Sequence, residues 1–463
     1  MRIVPPLLDD IANHVCMICN NKILKEAVYN MFLSRFASAI ATKNILTDSV
    51  MHVKPLPLAY YGLNFASSGG GKNKPFMALG DLFTWLTDEY FTINERNKEN
   101  FINKMKNRLS AEDFGNKKIL KDIQQKADKL VKVKPSVNGS TAQKIYLIAE
   151  QIALNSYGSI FFYDTEFIKK FKEKKQRGNF DKTLDLIYNL YDGSVDFVDT
   201  VLTDRNEINN ISCSACFSSD YSALKDDNKL RKDLKEYLLD GFARRIYVCF
   251  DNKKYKRSEH LSVKEIIEEN KLKQYYSSEL KNIYDKVLAN SIYFFSDNAN
   301  EKIRNYSIAV DEYIDANYDK DVLALEDDIL KVELENSTWK IVKTAFLFHI
   351  LSNPVAKEVQ IESVEMAINY YKHFRQYLKT FLEIQDRDSL DYIQSQIGKY
   401  LDKKITLNDT FRKILKINYN DWKRYKTNNL KSVYDLLETN NIYAEESKEG
   451  KIEYVTFYKK EVN

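Results

Sequence analysis

The sequence predicts an α/β protein in which a parallel sheet is followed by a helical region and a small C-terminal unit. Four short apolar segments alternate with helical patterns over residues 51–257, which is typical of a parallel sheet with crossover helices. Helical periodicity then continues over residues 258–385. Residues 386–463 combine helical patterns with two strand-like segments, which predicts a winged-helix domain.

Composition and charge exclude several classes of protein. The 463-residue chain is 44% hydrophobic and 29% charged, as expected for a globular protein of two or three domains. No apolar run is long enough to span a membrane, and no signal-peptide core follows the first ten residues, so we expect a cytoplasmic protein with no membrane partner. The odd number of cysteines, five, fits a reducing compartment. The net charge of +4 means that any contact with nucleic acid must come from local clusters.

The predicted elements follow from the spacing of apolar residues. Residues 1–50 have apolar side chains at helical intervals, such as Leu24, Val28 and Met31, and form a predicted N-terminal helical segment. Residues 88–134 are rich in Lys, Glu and Asn, and we interpret them as a charged helical insertion in the sheet domain. The predicted strands are Leu58–Phe65, Ser159–Tyr163, Ile211–Phe217 and Ile246–Phe250. The clearest predicted helices are Thr141–Ala153, Lys182–Tyr191, Leu230–Leu239, Asn336–Leu351 and Glu362–Leu382.

A glycine-rich turn lies between the first predicted strand and a predicted helix. Its glycines allow consecutive backbone N–H groups to surround an anion, and the following helix adds its positive end, so we predict a triphosphate site. Lys72 would contact the β- and γ-phosphates, and Asn73 stands where a hydroxyl usually binds Mg²⁺. The predicted nucleotide-binding residues of this turn are Ser68, Gly69, Gly70, Gly71, Lys72 and Asn73. The alternative is a flexible loop with an exposed lysine.

Two carboxylates, Asp164 and Glu166, follow the second predicted strand. In doubly wound sheets, ligands bind at the carboxyl ends of the strands. We predict that Asp164 holds Mg²⁺ through water and that Glu166 positions the water that attacks the γ-phosphate. The alternative is an ordinary strand followed by a helix N-cap aspartate.

Two further positions are predicted to contact the nucleotide. Arg244 and Arg245 precede the fourth predicted strand, and Arg244 is placed to stabilise charge on the phosphoryl group of a neighbouring subunit. A surface pair that forms salt bridges explains these arginines equally well. Ser218, at the end of the third predicted strand, is a candidate sensor of the γ-phosphate.

The C-terminal unit contains candidate DNA contacts. Basic residues lie in its predicted helices and beside the tip of a predicted hairpin, as is typical of helix-turn-helix domains that bind DNA. These residues are Lys423, Arg424, Lys426, Lys431, Lys448 and Lys451. Nearby acidic residues dilute the positive charge, so a domain that binds protein stays an open alternative.

The cysteines raise the alternative of a four-thiolate zinc site, because they include two C-x-x-C pairs. The pair Cys16 and Cys19 lies in a predicted helix. The pair Cys213 and Cys216 lies in a predicted strand, where residues three apart face opposite sides. We therefore interpret the cysteines as buried structural residues. His349 lies on an apolar helix and is predicted to belong to the core.

The order of these motifs resembles the P-loop ATPase domain of phage, plasmid and integrated-element replication proteins, of the kind associated with primase-helicases. The resemblance covers roughly residues 20–385. Two further segments within this range support it, Leu190-Tyr191-Asp192-Gly193 and Gly241-Phe242-Ala243-Arg244. It implies a RecA/AAA-like P-loop core over residues 51–257 and a helical lid over 258–385; the winged helix predicted over 386–463 lies outside the resemblance. It also implies that Lys343, in the lid, contacts the nucleotide.

We therefore predict an ATP-hydrolysing, helicase-like motor that acts on single-stranded DNA in phage or mobile-element replication. ATP and Mg²⁺ are the expected cofactors, with Lys72, Asp164, Glu166 and Arg244 as catalytic residues and Asn73 and Asp164 as metal ligands. The expected partners are single- or double-stranded DNA, further copies of the chain in a ring such as a hexamer, and a primase or other replication proteins of a bacterial host. One alternative is an ATP-switched initiator or loader that binds DNA without processive unwinding. Another is a structural or regulatory DNA-binding protein with a degenerate glycine-rich loop.

Overall fold

The fold is that of a computed structural model. It describes residues 2–459 apart from residues 21–22, 50–53, 67–72, 111–112, 138–141, 156–157, 175–178, 196–207, 210, 222–223, 225–226, 252–262, 319–323, 384–396, 398, 407–408, 410–441 and 450–451. Within these ranges, no helix combines the length and the apolar character needed to cross a lipid bilayer.

Helices make up most of the described structure. Those that precede residue 240 are α1 (Pro6–Ile18), α2 (Lys25–Ala41), α3 (Asn73–Asp81), α4 (Leu86–Lys106), α5 (Lys117–Asp128), α6 (Ala142–Asn155), α7 (Phe167–Lys174), α8 (Asn179–Tyr191) and α9 (Asn228–Tyr237). The later ones are α10 (Val263–Lys286), α11 (Asp297–Tyr318), α12 (Leu325–Glu335), α13 (Ser337–Ser352) and α14 (Ile361–Leu382). The strands are β1 (Leu46–Asp48), β2 (Leu56–Pro57), β3 (Tyr61–Ala66), β4 (Ile160–Asp164), β5 (Ser194–Val195), β6 (Ile208–Asn209), β7 (Cys213–Asp220), β8 (Ile246–Phe250), β9 (Ile292–Phe295), β10 (Glu358–Val359), β11 (Lys404–Thr406), β12 (Ile442–Glu449) and β13 (Ile452–Lys459).

The main sheet has the strand order β4-β7-β3-β8, and all of its neighbouring strands are parallel. These are the four strands that the sequence predicts, which confirms an α/β fold with a parallel sheet. Every side chain of β3 and β8 is buried, as expected for strands covered on both faces. Val137 adds one parallel bridge to Phe162 at the outer edge of β4.

Helices cover the two faces of this sheet. Side chains alternate along a strand, so Phe161 and Phe162 of β4 point to opposite faces. Phe161 lies beside Phe76 of α3, with ring centroids 6.1 Å apart. Phe162 lies 5.8 Å from Phe217, which also contacts Phe167 of α7. Helix α3, which follows β3, therefore packs on one face, and α7, which follows β4, packs on the other.

The chain changes direction across the main sheet between the adjacent strands β3 and β7. It leaves β3 toward β4 on one side, and it leaves β7 toward β8 on the other side. Crossovers are nearly always right-handed, so connections that run in opposite directions lie on opposite faces. The carboxyl ends of β3 and β7 therefore border a crevice, which is the topological switch point of the sheet.

A second sheet, of order β10-β9-β1-β2, corrects part of the sequence analysis. Residues 1–50 and 258–385 were predicted to be helical throughout, but β1 lies in the first range and β9 and β10 lie in the second. β9 pairs in parallel with both β1 and β10. The prediction was wrong here because β9 has only four residues, too few for its alternating pattern to stand out between helices.

Residues 1–226 and 230–381 form one compact unit. Helix α2 contacts β3, β4, β7 and β8, and nearly all of its residues are buried. Asn30 of α2 approaches the sheet closely at Gly62, where a Cβ would lie 2.9 Å from the Asn30 Cβ. Most residues of the predicted N-terminal segment, ATPase core and helical lid therefore lie within one compact unit.

The second unit comprises residues 227–229 and 382–463. It contains a three-stranded antiparallel sheet of order β11-β13-β12. β12 and β13 form the hairpin that the sequence predicts, and β11 adds a strand that was not predicted. The predicted helices of this unit lie largely outside the described residues, so the winged helix stays a prediction.

Candidate functional site

The glycine-rich turn begins at the carboxyl end of β3, beside the switch point. Residues 67–72, which include the predicted contacts Ser68, Gly69, Gly70, Gly71 and Lys72, lie outside the described residues. The flanking elements are described: β3 ends at Ala66, and α3 begins at the exposed residue Asn73. The predicted strand before the glycine-rich segment and the predicted helix after it are therefore confirmed. Pro75 lies in the first turn of α3, where its missing N–H leaves no hydrogen bond unmade.

Asp164 is the last residue of β4, and only 1% of it is exposed. Its Oδ1 accepts a hydrogen bond of 2.9 Å from the backbone N–H of Glu166, in the turn that leads to α7. Its Oδ2 lies 2.7 Å from the Nζ of Lys170. The two atoms are close but are not aligned for a hydrogen bond, so Oδ2 has no hydrogen-bond partner among the described residues. The capping alternative therefore explains the position of Oδ1 but not that of Oδ2.

Glu166 has a different environment from Asp164. Its carboxylate forms an ion pair with Lys169 at 3.3 Å, and both side chains are more than half exposed. Solvent screens such a pair, so it holds the carboxylate only weakly. The Glu166 side chain can therefore turn toward a bound water or ligand.

The strand order brings these acids to the same edge of the sheet as the glycine-rich turn. β7 is the one strand between β3 and β4, so the ends of β3 and β4 lie about 10 Å apart, which is two inter-strand spacings. Phe76, in the first turn of α3, stacks on Tyr163 with ring centroids 4.4 Å apart. The helix that follows the glycine-rich turn therefore packs on the face of β4 that carries Tyr163, whereas Asp164, the next residue, points to the opposite face, where Lys170 of α7 lies.

Ser218 lies in β7, between the two strands that carry the predicted site. It is buried, and it pairs in register with Asn64 of β3. The neighbouring Ser219 accepts a hydrogen bond of 3.1 Å from the backbone N–H of Ile168 in α7. The structure thus places the predicted sensor beside the crevice, two residues before the end of its strand.

Asn64 is a buried polar residue of β3 that the sequence analysis did not single out. Its Oδ1 accepts a hydrogen bond of 3.0 Å from the Nδ2 of Asn30, which also donates to the carbonyl of Tyr247 in β8. These bonds fix a polar side chain two residues before the glycine-rich turn begins. The available signal was a single asparagine inside an otherwise apolar strand, Tyr61–Ala66.

Lys170 was also missed. It lies in α7, six residues after Asp164, beyond the strand-to-helix turn. Glu166 and Lys169 are three residues apart, which is ordinary helical spacing for an ion pair. The contact between Asp164 and Lys170 depends instead on the path of the turn, which a spacing rule does not specify.

The residues present fit a divalent cation held jointly with a ligand. Asp164 offers a buried oxygen without a hydrogen-bond partner in the described part of the chain, and oxygen is the ligand type that Mg²⁺ requires. The described residues contain no group of three or more His, Cys, Asp or Glu side chains placed to hold a metal alone. A cation at Asp164 would therefore take its other ligands from phosphate and water, as Mg²⁺ commonly does.

The two arginines lie at the opposite, amino end of the main sheet. Arg244 is exposed and precedes β8, about 20 Å along the strand direction from the carboxyl edge. Arg245 forms an ion pair with Asp192 at 2.5 Å, and its guanidinium lies 4.0 Å from the ring centroid of Tyr188. Gly241 has a φ of 111°, and a Cβ there would lie 2.2 Å from the Tyr188 hydroxyl. The Tyr-Asp-Gly and Gly-Phe-Ala-Arg segments therefore meet each other at this edge.

Lys343 is also at the amino end, and it is only 1% exposed. Its Nζ donates a hydrogen bond of 2.5 Å to the carbonyl of Tyr191 and lies 3.8 Å from the centroid of that ring. Burial lowers the pKa of Lys343 to about 8, although the nearby Asp192 acts in the opposite direction. The structure therefore does not bring Lys343 to the predicted nucleotide site. The lysine holds the end of α8 instead.

The predicted DNA contacts are described at one position, Lys448. The others, Lys423, Arg424, Lys426, Lys431 and Lys451, lie outside the described residues. Lys448 is exposed in β12, opposite Glu453 of β13, and Lys404 of β11 forms an ion pair with Glu449. The described part of this sheet therefore has mixed charge, and DNA binding there stays a prediction.

All five cysteines are buried free thiols. Burial raises the pKa of Cys213 to about 12, so this thiol stays protonated at neutral pH. Cys216 accepts a hydrogen bond of 3.7 Å from the Nδ2 of Asn64. His349 is 3% exposed, and its Nε2 lies 2.8 Å from the carbonyl of Ala356. The predictions of buried cysteines and of a core histidine are therefore confirmed.

A cavity of 620 Å³ is lined by residues of α7, α8 and α9, among them Phe171, Tyr188 and Tyr237. Four carboxylates line it, those of Asp185, Asp233, Glu236 and Asp240. A polyphosphate would be repelled by this charge. The cavity is therefore unsuited to ATP, and the carboxyl edge of the sheet remains the candidate site.

No protein-family model matches this chain, and no curated protein matches it with significant similarity. The functional assignment consequently depends on the geometry of the carboxyl edge of the main sheet.

Proposed function

We propose that this protein is an ATP hydrolase that acts as a helicase-like motor on single-stranded DNA during replication of a phage or mobile element. The observation that carries the proposal is the position of the glycine-rich turn, which lies between β3 and α3 at the switch point, with Asp164 and Glu166 at the same edge. Switch points are where α/β sheets bind ligands, and glycine-rich turns before a helix bind phosphates.

Each residue of the proposed site has a separate task. The backbone N–H groups of residues 66–73 bind the triphosphate, and Lys72 contacts its β- and γ-phosphates. The amino end of α3 adds a favourable field. Glu166, whose ion pair is solvent-screened, orients the attacking water. Asp164 and Asn73 would hold Mg²⁺, which when bound neutralises charge on the phosphates.

Arg244 requires a neighbouring subunit for its proposed role. Within one chain it lies at the amino end of the sheet, far from Asp164 and Glu166. It is exposed, and the adjacent Arg245 is anchored to Asp192, which gives Arg244 a fixed base from which to extend. These features support a homo-oligomer, such as a hexameric ring, in which Arg244 reaches the γ-phosphate of the next subunit. A primase and other replication proteins in the cytoplasm of a bacterial host are the proposed partners.

A second candidate function is an initiator or loader that uses ATP as a conformational switch. Two observations favour it. Asn73 provides an amide where a hydroxyl usually binds Mg²⁺, and both acids of the site have lysine partners within the chain. Slow turnover with intact ATP binding would select this candidate.

The test compares ATP turnover with and without single-stranded DNA. Wild-type protein should show turnover that DNA stimulates, and Lys72→Ala, Glu166→Gln and Arg244→Ala should each lose about 100-fold or more, because each removes charge stabilisation or water positioning. Lys121→Ala, an exposed lysine of α5, is the matched control and should behave as wild type. Equal turnover in all variants would eliminate the motor.

A mixing experiment tests the proposed action of Arg244 across an interface. Subunits with Arg244→Ala lack the arginine but keep the acid, and subunits with Glu166→Gln have the opposite defect. If the arginine acts on the neighbouring site, mixed oligomers contain some intact sites and regain part of the activity. If it acts within its own subunit, mixing restores nothing.

A further inference from the structure

Two lysines of α7 are paired with the acids at the end of β4, and the two pairs differ in burial. Lys170 lies 2.7 Å from the Oδ2 of Asp164, whose side chain is 1% exposed. Lys169 lies 3.3 Å from Glu166, and these side chains are 67% and 60% exposed. Only the first pair therefore involves a carboxylate that is shielded from water.

A shielded carboxylate depends on its immediate partners, because it has lost the hydration of its charge. The Oδ1 of Asp164 has an aligned donor in the backbone N–H of Glu166. The Oδ2 is neutralised by the Lys170 ammonium but receives no aligned hydrogen bond among the described residues. Lys170 is itself 31% exposed, so its side chain can move into solvent without crossing the core.

We infer that Lys170 and a divalent cation compete for the Oδ2 of Asp164, so that Lys170 makes metal binding conditional on the nucleotide. This inference depends on the proposed function, in which Asp164 holds Mg²⁺. An ammonium and a divalent cation repel each other strongly when both lie within contact distance of one carboxylate that is shielded from water. Binding of the cation therefore displaces Lys170 toward solvent.

The competition affects the binding of free metal more than the binding of metal that arrives with a nucleotide. A free cation gains Asp164 but must displace an ammonium that already neutralises it. A cation that arrives with a triphosphate brings phosphate ligands of its own, and the negative charge of the phosphates also attracts the released lysine. Lys170 therefore favours the metal–nucleotide complex over the free metal.

The test measures Mn²⁺ binding to full-length protein without nucleotide, using the electron paramagnetic resonance signal of unbound Mn²⁺. Wild type should bind Mn²⁺ weakly. Lys170→Met should bind at least about tenfold more tightly, since the competing charge is gone. Lys169→Met is the matched control and should remain within about twofold of wild type, because its pair is solvent-screened. Adding Asp164→Asn to Lys170→Met should abolish the gain.

Two outcomes would overturn the inference: a Lys170→Met protein that binds Mn²⁺ no more tightly than Lys169→Met, or a gain that survives Asp164→Asn. Lys170→Gln retains a hydrogen-bond donor for Asp164 and gives the same test if the methionine variant does not fold. Wild-type ATP binding and turnover, measured in parallel, separate the two proposals. Normal ATP turnover with unchanged Mn²⁺ affinity in Lys170→Met refutes the competition alone. Absent ATP binding with the Mn²⁺ gain refutes the proposed ATPase and the dependence on nucleotide, and leaves the competition between Lys170 and the metal.

Discussion

The carboxyl ends of the strands in the main sheet form one edge, here called the carboxyl edge, and their amino ends form the amino edge. Both edges carry polar residues of the sequence motifs, but these residues have different environments. At the carboxyl edge, Asp164 is buried beside the partly exposed Lys170. At the amino edge, Lys343 is buried and donates to the Tyr191 carbonyl, and Arg245 is paired with Asp192. The first edge therefore has a carboxylate oxygen that can still accept a ligand, whereas Lys343 and Arg245 at the second are already bound to groups of the same chain.

A buried ionic network strengthens the amino edge further. Lys340 is 2% exposed, forms an ion pair with Glu333, and donates to the carbonyls of Ala243 and Ile246 at 3.3 and 3.4 Å. Tyr371 donates a hydrogen bond of 2.7 Å to the other carboxylate oxygen of Glu333. This network ties the Gly-Phe-Ala-Arg segment to α12, α13 and α14. The comparison shows that the order of motifs along a chain does not reveal whether a polar residue is available to bind a ligand or stabilises the fold.

The largest expected effect is the loss of the Glu333 carboxylate. Glu333→Ala should lower the free energy of unfolding by about 3–5 kcal/mol, because it leaves Lys340 as an uncompensated buried charge. Urea denaturation followed by circular dichroism measures this change. Glu335→Ala, an exposed acid of the same helix, should change stability by less than about 0.5 kcal/mol. Equal effects of the two substitutions would show that the amino edge is not held by this network.

A smaller effect should appear in the pH dependence of stability. The pKa of Lys343 is lowered from 10.5 to about 8, so between these values the unfolded chain binds more protons than the folded protein. The contribution of Lys343 to stability should therefore rise with pH across this window, by up to about 3 kcal/mol. The measurement is the difference in unfolding free energy between wild type and Lys343→Met, with the exposed Lys372→Met as control. A difference that stays flat or falls with pH would contradict the buried position.

The smallest effect on stability is expected at the carboxyl edge. Glu166→Gln should change the free energy of unfolding by less than about 1 kcal/mol, because its ion pair with Lys169 is exposed. The same substitution should nevertheless lower ATP turnover strongly if Glu166 orients water. The free energy of unfolding and the ATP turnover rate, measured on one preparation, therefore show whether Glu166 contributes to activity rather than to stability. A stability loss as large as that of Glu333→Ala would assign Glu166 to the fold instead.

Much of the fold could be predicted because the signals are local. β4 and β8 each appear as a run of apolar residues of strand length, and α13 and α14 appear as long periodic segments. The second sheet was missed because β1 and β9 are short and pair with each other across more than two hundred residues. The candidate site was predicted in part: Asp164 and Glu166 were recognised as acids after a strand, but the lysine that pairs with Asp164, Lys170, was not predicted.

The sequence by itself determined the four buried strands, the helices between them, and the glycine-rich turn after the first strand, because apolar spacing and glycine act over a few neighbouring residues. Only the tertiary structure decided that β7 lies between β3 and β4, that Lys170 faces Asp164, and that Lys343 and Arg244 lie at the opposite edge. Strand order and side-chain pairing depend on contacts between residues far apart in the chain. Local spacing does not specify those contacts.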